Sequence, residues 1–266
     1  MKTDSELKNR SPIDPLKAFS LDGEVALITG GGTGLGLAMA QCLGACGARV
    51  VLVGRCEETL SRSCKTIGPL ADYRVQDITD FDRSESLPES VFKSHGSLDI
   101  LINNAGVHLK KTAEETSIQE FREIIDTHIF GAHALVRSAI PLMTKRGHGN
   151  ILFTASMTTF LGIPRVFAYS TAKTAYAGMV RALSSEVADK GIRVNAIAPG
   201  WIDTPMLRKA LNNDEPRRQK ILNRTPMQTL GEPIDIGWTA AFLCSPAAKF
   251  ITGAIIPVDG GASIGF

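Results

Sequence analysis

A tyrosine and a lysine four residues apart, Tyr169 and Lys173, follow the serine Ser156. On a helix, positions i and i+4 share one face, so a phenol and an ammonium stand side by side. A free phenol titrates near about 10 and is idle at neutral pH, whereas a neighbouring cation favours the phenolate. The spacing therefore predicts that Lys173 depresses Tyr169. Beside a hydride donor, such a phenol protonates the oxygen of a carbonyl being reduced, and the Ser156 hydroxyl hydrogen-bonds the same oxygen. In an arbitrary sequence the same spacing is a plain helix surface pair, so the motif needs context. A hydrolase built on Ser156 is excluded, because Ala155-Ser156-Met157 lacks the GxSxG elbow of such a nucleophile.

The context begins at Thr29-Gly30-Gly31-Gly32-Thr33-Gly34-Leu35-Gly36, between an apolar strand-like run and an apolar helical one. Glycines let the backbone turn tightly and approach an oxyanion, and a helix start offers unpaired N–H groups and a positive dipole end. The literal GxGxxG fingerprint fails at Leu35 and Leu37, and the GKS or GKT ending of a kinase-type loop is missing. A dinucleotide still suits this turn. Gly54-Arg55 stands after the second strand, where an acid would grip a ribose 2′-hydroxyl and an arginine a 2′-phosphate. Arg55 thus points to NADP over NAD, with NAD still possible; the other reading of Arg55 is a solvated residue opening the next helix.

These groups must be held by a scaffold. Apolar runs at 25–29, 50–53, 73–75, 100–102, 151–153, 194–198 and 255–258 alternate with helical stretches. That alternation predicts a single-domain α/β fold: one open, doubly wound, seven-stranded parallel sheet with helices on both faces. Ligands of such sheets bind beyond the carboxyl ends of the strands. The turn at Gly30, Asn103-Asn104, Ala155-Ser156 and Pro199-Gly200 all lie at those ends. Residues 1–19 are polar, hold two Ser/Asp-Pro pairs and read as a poorly ordered tail, leaving residues 20–266 as one catalytic domain.

Taken together, the chain resembles the short-chain dehydrogenase/reductase family over residues 21–266. The motifs are TGxxxGxG at 29–36, Asn103-Asn104-Ala105-Gly106, Ser156, Tyr169-Ser170-Thr171-Ala172-Lys173 and Pro199-Gly200. The pattern is similar to the gluconate 5-dehydrogenase and 3-oxoacyl carrier-protein reductase branches, through Arg224-Thr225-Pro226 and Val258-Asp259-Gly260-Gly261. The resemblance implies a Rossmann-like fold, NAD(P) binding, a Ser156, Tyr169 and Lys173 catalytic set, and a homotetramer. It puts Gly30, Thr33, Gly34, Leu35 and Gly36 at the phosphates and Asp77 and Ile78 at the adenine. Asn104, Ala105, Gly106, Tyr169 and Lys173 would follow the ribose; Pro199, Gly200, Ile202 and Thr204 would approach the nicotinamide. Asp77 and Thr204 have helix capping as their other reading.

One position departs from the family. Where its members usually carry an asparagine in the fourth long helix, this chain has His128, in Asp126-Thr127-His128-Ile129-Phe130-Gly131. An imidazole either takes over the proton relay or fills space as a satisfied core histidine. The departure motivates a second reading, a dinucleotide-binding sensor with weakened catalysis.

Composition narrows the partners. The 266 residues are 44% hydrophobic with net charge +2 and no long charge run, which leaves no footprint for nucleic acid. Small molecules are the expected ligands: a ketone or secondary alcohol of polyol, sugar-acid or 3-oxoacyl type. Residues 25–48 are uncharged, but seven glycines break them into strand, turn and helix, so no membrane span is expected. Five cysteines without CxxC spacing and no secretory leader read as reduced and cytoplasmic, and the scattered histidines give no metal site. Residues 201–230 hold six basic side chains, a basic lid for an anion or the wet face of a helix. Expected pocket liners are His108, Thr158, Phe160, Ile163, Val166, Trp201 and Met206.

Overall fold

Seven short runs rich in Val, Ile and Leu form the strands: β1 Val25–Thr29, β2 Arg49–Gly54, β3 Ala71–Val75, β4 Ile100–Asn103, β5 Gly149–Thr154, β6 Ile192–Pro199 and β7 Ile255–Val258. Each lies over one of the apolar runs read from the sequence. In the computed structural model, which describes residues 14–211 and 214–265, they make one parallel sheet in the order β3-β2-β1-β4-β5-β6-β7. Parallel neighbours need crossover connections, and helices supply them. In chain order these are α1 Pro15–Phe19, α2 Gly34–Ala45, α3 Glu57–Ile67, α4 Phe81–His95, α5 Ile118–Ile125, α6 Gly131–Arg146, α7 Phe167–Val187, α8 Pro205–Leu211, α9 Glu215–Arg224 and α10 Pro233–Cys244. β1 to β3 wind one way and β4 to β7 the other, so the crevice opens above the paired ends of β1 and β4, where Ile28 stands opposite Ile102.

Every strand of the centre is apolar on both faces, because helices cover both. Val25 and Leu27 of β1 pack toward Leu87 of α4, Leu135 of α6 and Val180 of α7. Ala26 and Ile28 face the other way, against Met39 and Leu43 of α2 and Ile236 of α10. On that second face α2 and α10 meet through a glycine. A Cβ at Gly237 would stand 2.5 Å from Cys42 Sγ and 2.7 Å from the Ala38 carbonyl oxygen. Gly237→Ala is expected to cost about 1–3 kcal/mol through overpacking. In a thermal melt this is a drop of roughly 2–4 °C per kcal/mol. An unchanged melt would mean that α2, whose start carries the glycine turn, is not wedged in place here.

One outcome differs from the sequence reading. Residues 15–19, expected as tail, form the helical turn α1, because Asp14 accepts hydrogen bonds from the Leu16 and Lys17 N–H groups. The Phe19 ring anchors that turn 6.3 Å from Phe242. Residues 1–13 lie outside the described part. Residues 25–48 are β1, a turn and α2, as their glycines required; among the described residues no helix is long and apolar enough to cross a membrane.

Candidate active site

The glycine-rich turn is built by contacts that exclude side chains. Gly30 has φ of 63°, and a Cβ on Gly36 would lie 2.2 Å from the Gly30 carbonyl oxygen. The turn is locked to the end of β4 by one hydroxyl: Thr29 Oγ1 accepts from the N–H groups of Asn104 (2.9 Å) and Ala105 (3.0 Å) and donates to the Ile102 carbonyl. Asn104 Nδ2 in turn donates to the Thr29 carbonyl at 2.9 Å, and its Oδ1 accepts from Thr154 Oγ1 at 3.2 Å. The start of α2 at Thr33 has no side-chain cap, so its first N–H groups remain for a ligand.

From this turn a cleft of 740 Å³ runs toward the end of β3, with Gly30, Thr33, Arg55, Asp77, Ile78, Ala105 and Gly106 in its walls. Arg55 Nη1 lies 3.8 Å from Asp77 Oδ2 at the far end, with 74% of the arginine side chain exposed. The Asp77 carboxyl is held below the usual range, first by the Thr79 N–H. Asp77 does not cap the following helix, since Asp80 does that by accepting from the Arg83 N–H. An uncapped helix start at one end and a guanidinium at the other fit a long ligand with phosphates at two places.

A second cavity, 280 Å³, lies above β1, β4 and β5 and contains Thr33, Gly34, Leu35, Gly106, His108, His128, Thr154, Tyr169, Lys173, Thr204 and Met206 among its walls. The turn, the tyrosine and the lysine therefore share one space. Lys173 is 3% exposed, and its Nζ donates to the Thr154 carbonyl at 2.5 Å. Nζ also sits 5.6 Å from the centre of the Tyr169 ring and 5.0 Å from that of Tyr176. Burial brings the ammonium down to about 7.

Tyr169 departs from expectation in the unliganded chain. Its phenol is raised above its ordinary value by burial, and only a hydrogen bond with Ser156 pulls the other way. The expected depression by Lys173 is absent because that ammonium is itself desolvated and faces the ring and a carbonyl. Ser156 is buried at the end of β5, where its Oγ accepts from the Thr158 N–H at 3.2 Å.

His128 sits on a π-helical turn, Asp126–Phe130, between α5 and α6. Its Cε1 edge is pressed against Gly106, where a Cβ would be 2.3 Å from His128 Cε1. Nε2 is 2.9 Å from the Val107 carbonyl oxygen, Nδ1 is buried without a partner, and burial drives the imidazole down to about 3. The imidazole is therefore neutral, and it stands in the cavity wall beside Tyr169. Its ring meets Tyr169 edge-on at 5.8 Å.

Other expected residues divide. The His108 ring lies 4.9 Å from that of Tyr169, tilted by 49°, and Met206 joins the same wall, but Thr158 and Val166 are buried and Ile163 lines a separate groove outside α7. Phe160 is half exposed, and the Trp201 Nε1 is buried without a partner. Among the cofactor candidates, Ile202 packs its side chain into the core, and Gly200 is pressed against Asp259, 2.5 Å from a would-be Cβ, with Pro199 before it at the end of β6. Thr204 reaches the cavity while its Oγ1 accepts from the Leu207 N–H in α8, so the capping reading holds there. Within the basic segment, Arg208 grips Asp203 through two bonds of 2.7 and 2.8 Å and Arg218 pairs with Glu215, both at the surface. Thr154 and Tyr176 escaped the sequence reading, and Thr29 entered it only as the head of the glycine motif. Tyr176 alone carried a signal, standing at i+3 from Lys173 and i+7 from Tyr169 on one helical face. Among the described residues no group of side chains could hold a metal ion.

The sequence matches the family profile described as enoyl-(acyl carrier protein) reductase over residues 30–263. It is 37% identical over 250 residues to the 2-dehydro-3-deoxy-D-gluconate 5-dehydrogenase of Bacillus subtilis (strain 168), covering 92% of this chain and 96% of that protein. The gluconate 5-dehydrogenase of Burkholderia cenocepacia J2315, solved with NADP and tartrate, superposes with a TM-score of 0.90 at 30% identity, over 95% of this chain and 100% of that one. The 3-ketoacyl-(acyl-carrier-protein) reductase of Brucella melitensis, solved with NADH, gives 0.87 at 36% identity, over 92% and 100%. The single parallel sheet, the glycine turn at its switch point and these likenesses agree: the chain belongs to the short-chain dehydrogenase/reductase family and is an oxidoreductase acting on hydroxyl and carbonyl groups.

Proposed function

We propose that the chain is an NADP-preferring reductase of ketones, or dehydrogenase of the corresponding secondary alcohols, with Tyr169 as general acid and base. The observation that carries this reading is the 280 Å³ cavity that Tyr169, Lys173 and the glycine-rich turn line together. When bound, a nicotinamide dinucleotide supplies or accepts the hydride. The open N–H groups of α2 would hold its phosphates, and Arg55 a 2′-phosphate. Tyr169 keeps its proton at neutral pH because burial raises it, which is the form that donates to a carbonyl oxygen gaining charge. Ser156 steadies that oxygen, and the Lys173 ammonium favours transfer by its positive charge.

Sugar acids, polyols and 3-oxoacyl esters are the substrate classes to try, because relatives include a 2-dehydro-3-deoxy-D-gluconate 5-dehydrogenase, a galactitol 2-dehydrogenase and a 3-oxoacyl-[acyl-carrier-protein] reductase. Nicotinamide absorbance across that panel, with NADPH and NADH in parallel, tests the reading. Turnover of at least one carbonyl, faster with NADPH, is expected; tight dinucleotide binding with no turnover anywhere would favour the sensor reading that His128 motivates. Arg55→Ala should weaken NADPH binding roughly 10–100-fold, the loss of one charge-assisted contact, and leave NADH nearly unchanged. Equal losses for both would remove the case for NADP.

The protonation states also set a direction with pH. Because Tyr169 is raised, reduction should hold through neutral pH and oxidation should climb as pH rises, since only the phenolate accepts the alcohol proton. Initial rates in both directions across pH check this, and oxidation falling as pH rises would contradict it. We also assign the protein to the cytoplasm as a homotetramer, supported by its unpaired cysteines and by the family likeness. Light scattering tests the assembly.

A further inference from the structure

Lys173 poses a physical problem that its known neighbours do not solve. Its ammonium is buried, it has one recorded hydrogen-bond acceptor, the Thr154 carbonyl, and among the described residues no carboxylate pairs with it. The ionisable groups around it are Tyr169 and Tyr176 on α7, His128 on the packed π-helical turn, and His108 beyond Tyr169. None of these is an anion at neutral pH: both phenols are raised by burial, and both imidazoles are lowered by it. A desolvated ammonium without an anion sheds its proton unless something else favours the charge.

The remaining candidate is an aromatic face. Nζ lies 5.0 Å from the centre of the Tyr176 ring, closer than to Tyr169, and Tyr176 is 1% exposed. An aromatic face attracts a cation through its quadrupole, most strongly where water is excluded. The Tyr176 hydroxyl donates to the His128 main-chain carbonyl at 2.8 Å. The ring is also packed against Phe153 of β5 at 5.0 Å, so its tilt is fixed from two sides.

We propose that Tyr176 is a positioning residue for the reaction, whose ring face keeps the Lys173 ammonium charged and whose hydroxyl fixes that ring to the turn bearing His128. This deepens the reading of Tyr169 and Lys173 given above and rests on it for its catalytic meaning, but its physical content is independent of turnover. The ring does the electrostatic part and the hydroxyl the geometric part. The two separate by substitution.

The test is NMR titration of isotope-labelled lysine Cε in the full-length protein, with Lys173 assigned by its loss in a Lys173→Met variant. Tyr176→Phe keeps the face and should keep the parent's midpoint. Pentafluorophenylalanine at position 176 has nearly the same shape with the quadrupole reversed, and Tyr176→Met has no ring; each should lower the midpoint by about half to one pH unit. In the reductive direction the alkaline limb of kcat/KM should move down by the same amount in those two variants and stay put in Tyr176→Phe. A midpoint that is the same in all variants, or that falls equally in Tyr176→Phe, overturns the proposal. Because the fluorinated ring preserves volume, a folding defect of the Met variant leaves the test intact. A shifted midpoint in a protein with no turnover would uphold the role of Tyr176 and sink the proposed reaction instead.

Discussion

Tyr169→Phe is expected to lower kcat by about 10²–10⁴-fold, the range for loss of a positioned general acid, while dinucleotide affinity changes little. The phenol lies in the wall of the cavity, between the His108 ring at 4.9 Å and the His128 ring at 5.8 Å, and removing its oxygen leaves both contacts in place. The split between a collapsed kcat and a retained binding constant separates chemistry from folding. Steady-state rates and a fluorescence titration of NADPH with the same preparation read both. A variant with near-parental kcat would assign the proton to some other group, and His128, neutral and with an unpartnered Nδ1, would be the first to examine.

Lys173→Met should separate stability from activity in the opposite sense. The lysine is a buried ammonium brought from its ordinary value of 10.5 to about 7 by desolvation alone. Its folded value is depressed, so the unfolded chain binds the proton more tightly between about 7 and 10.5. Below pH 7 the folded protein bears the whole cost of the buried charge, and that cost fades as pH rises through this window. Replacement by an apolar side chain of similar length should therefore stabilise the unliganded protein by about 1–4 kcal/mol at pH 6, and by less at pH 9. The same variant should lose most of its turnover. Denaturant titrations at the two pH values give the comparison. A variant less stable than the parent at pH 6 would show that the Thr154 carbonyl and the two ring faces already compensate the charge in full.

The scaffold was legible because its signals are local and redundant. Each strand of a doubly covered parallel sheet is a run of apolar residues, and the turn from Thr29 to Gly36 announces itself by glycines that nothing larger can replace, as the 2.2 Å approach at Gly36 shows. The pairing of Tyr169 with Lys173 is likewise written in a spacing. What a spacing does not carry is solvent. Lys173 was expected to acidify Tyr169, but both are desolvated by elements distant in sequence, and the lysine ammonium donates its hydrogen bond to the Thr154 carbonyl of β5.

Capping was legible at Thr204 but not at Asp77. Asp77 and Asp80 stand three apart, and only the observed path of the chain shows that the second caps α4 while the first turns back on Thr79. Ile163 and Val166, apolar and close in sequence to Tyr169, looked like pocket walls, but the loop carries one to an outer groove and buries the other. The His128 substitution was visible from sequence, though its neutrality follows only from burial, helped by the nearby Lys173 charge and opposed by the bond to the Val107 backbone.

The central claim is that a carbonyl carbon in the Tyr169 cavity receives a hydride while Tyr169 protonates its oxygen. Reduction with NADPH deuterated at the transferring carbon, using whichever carbonyl of the panel turns over fastest, tests it most directly. Mass spectrometry of the product should find one deuterium on the carbinol carbon, formed by the parent protein and absent from a parallel reaction with Tyr169→Phe. A product without deuterium, or equal deuterated product from the phenylalanine variant, would contradict it.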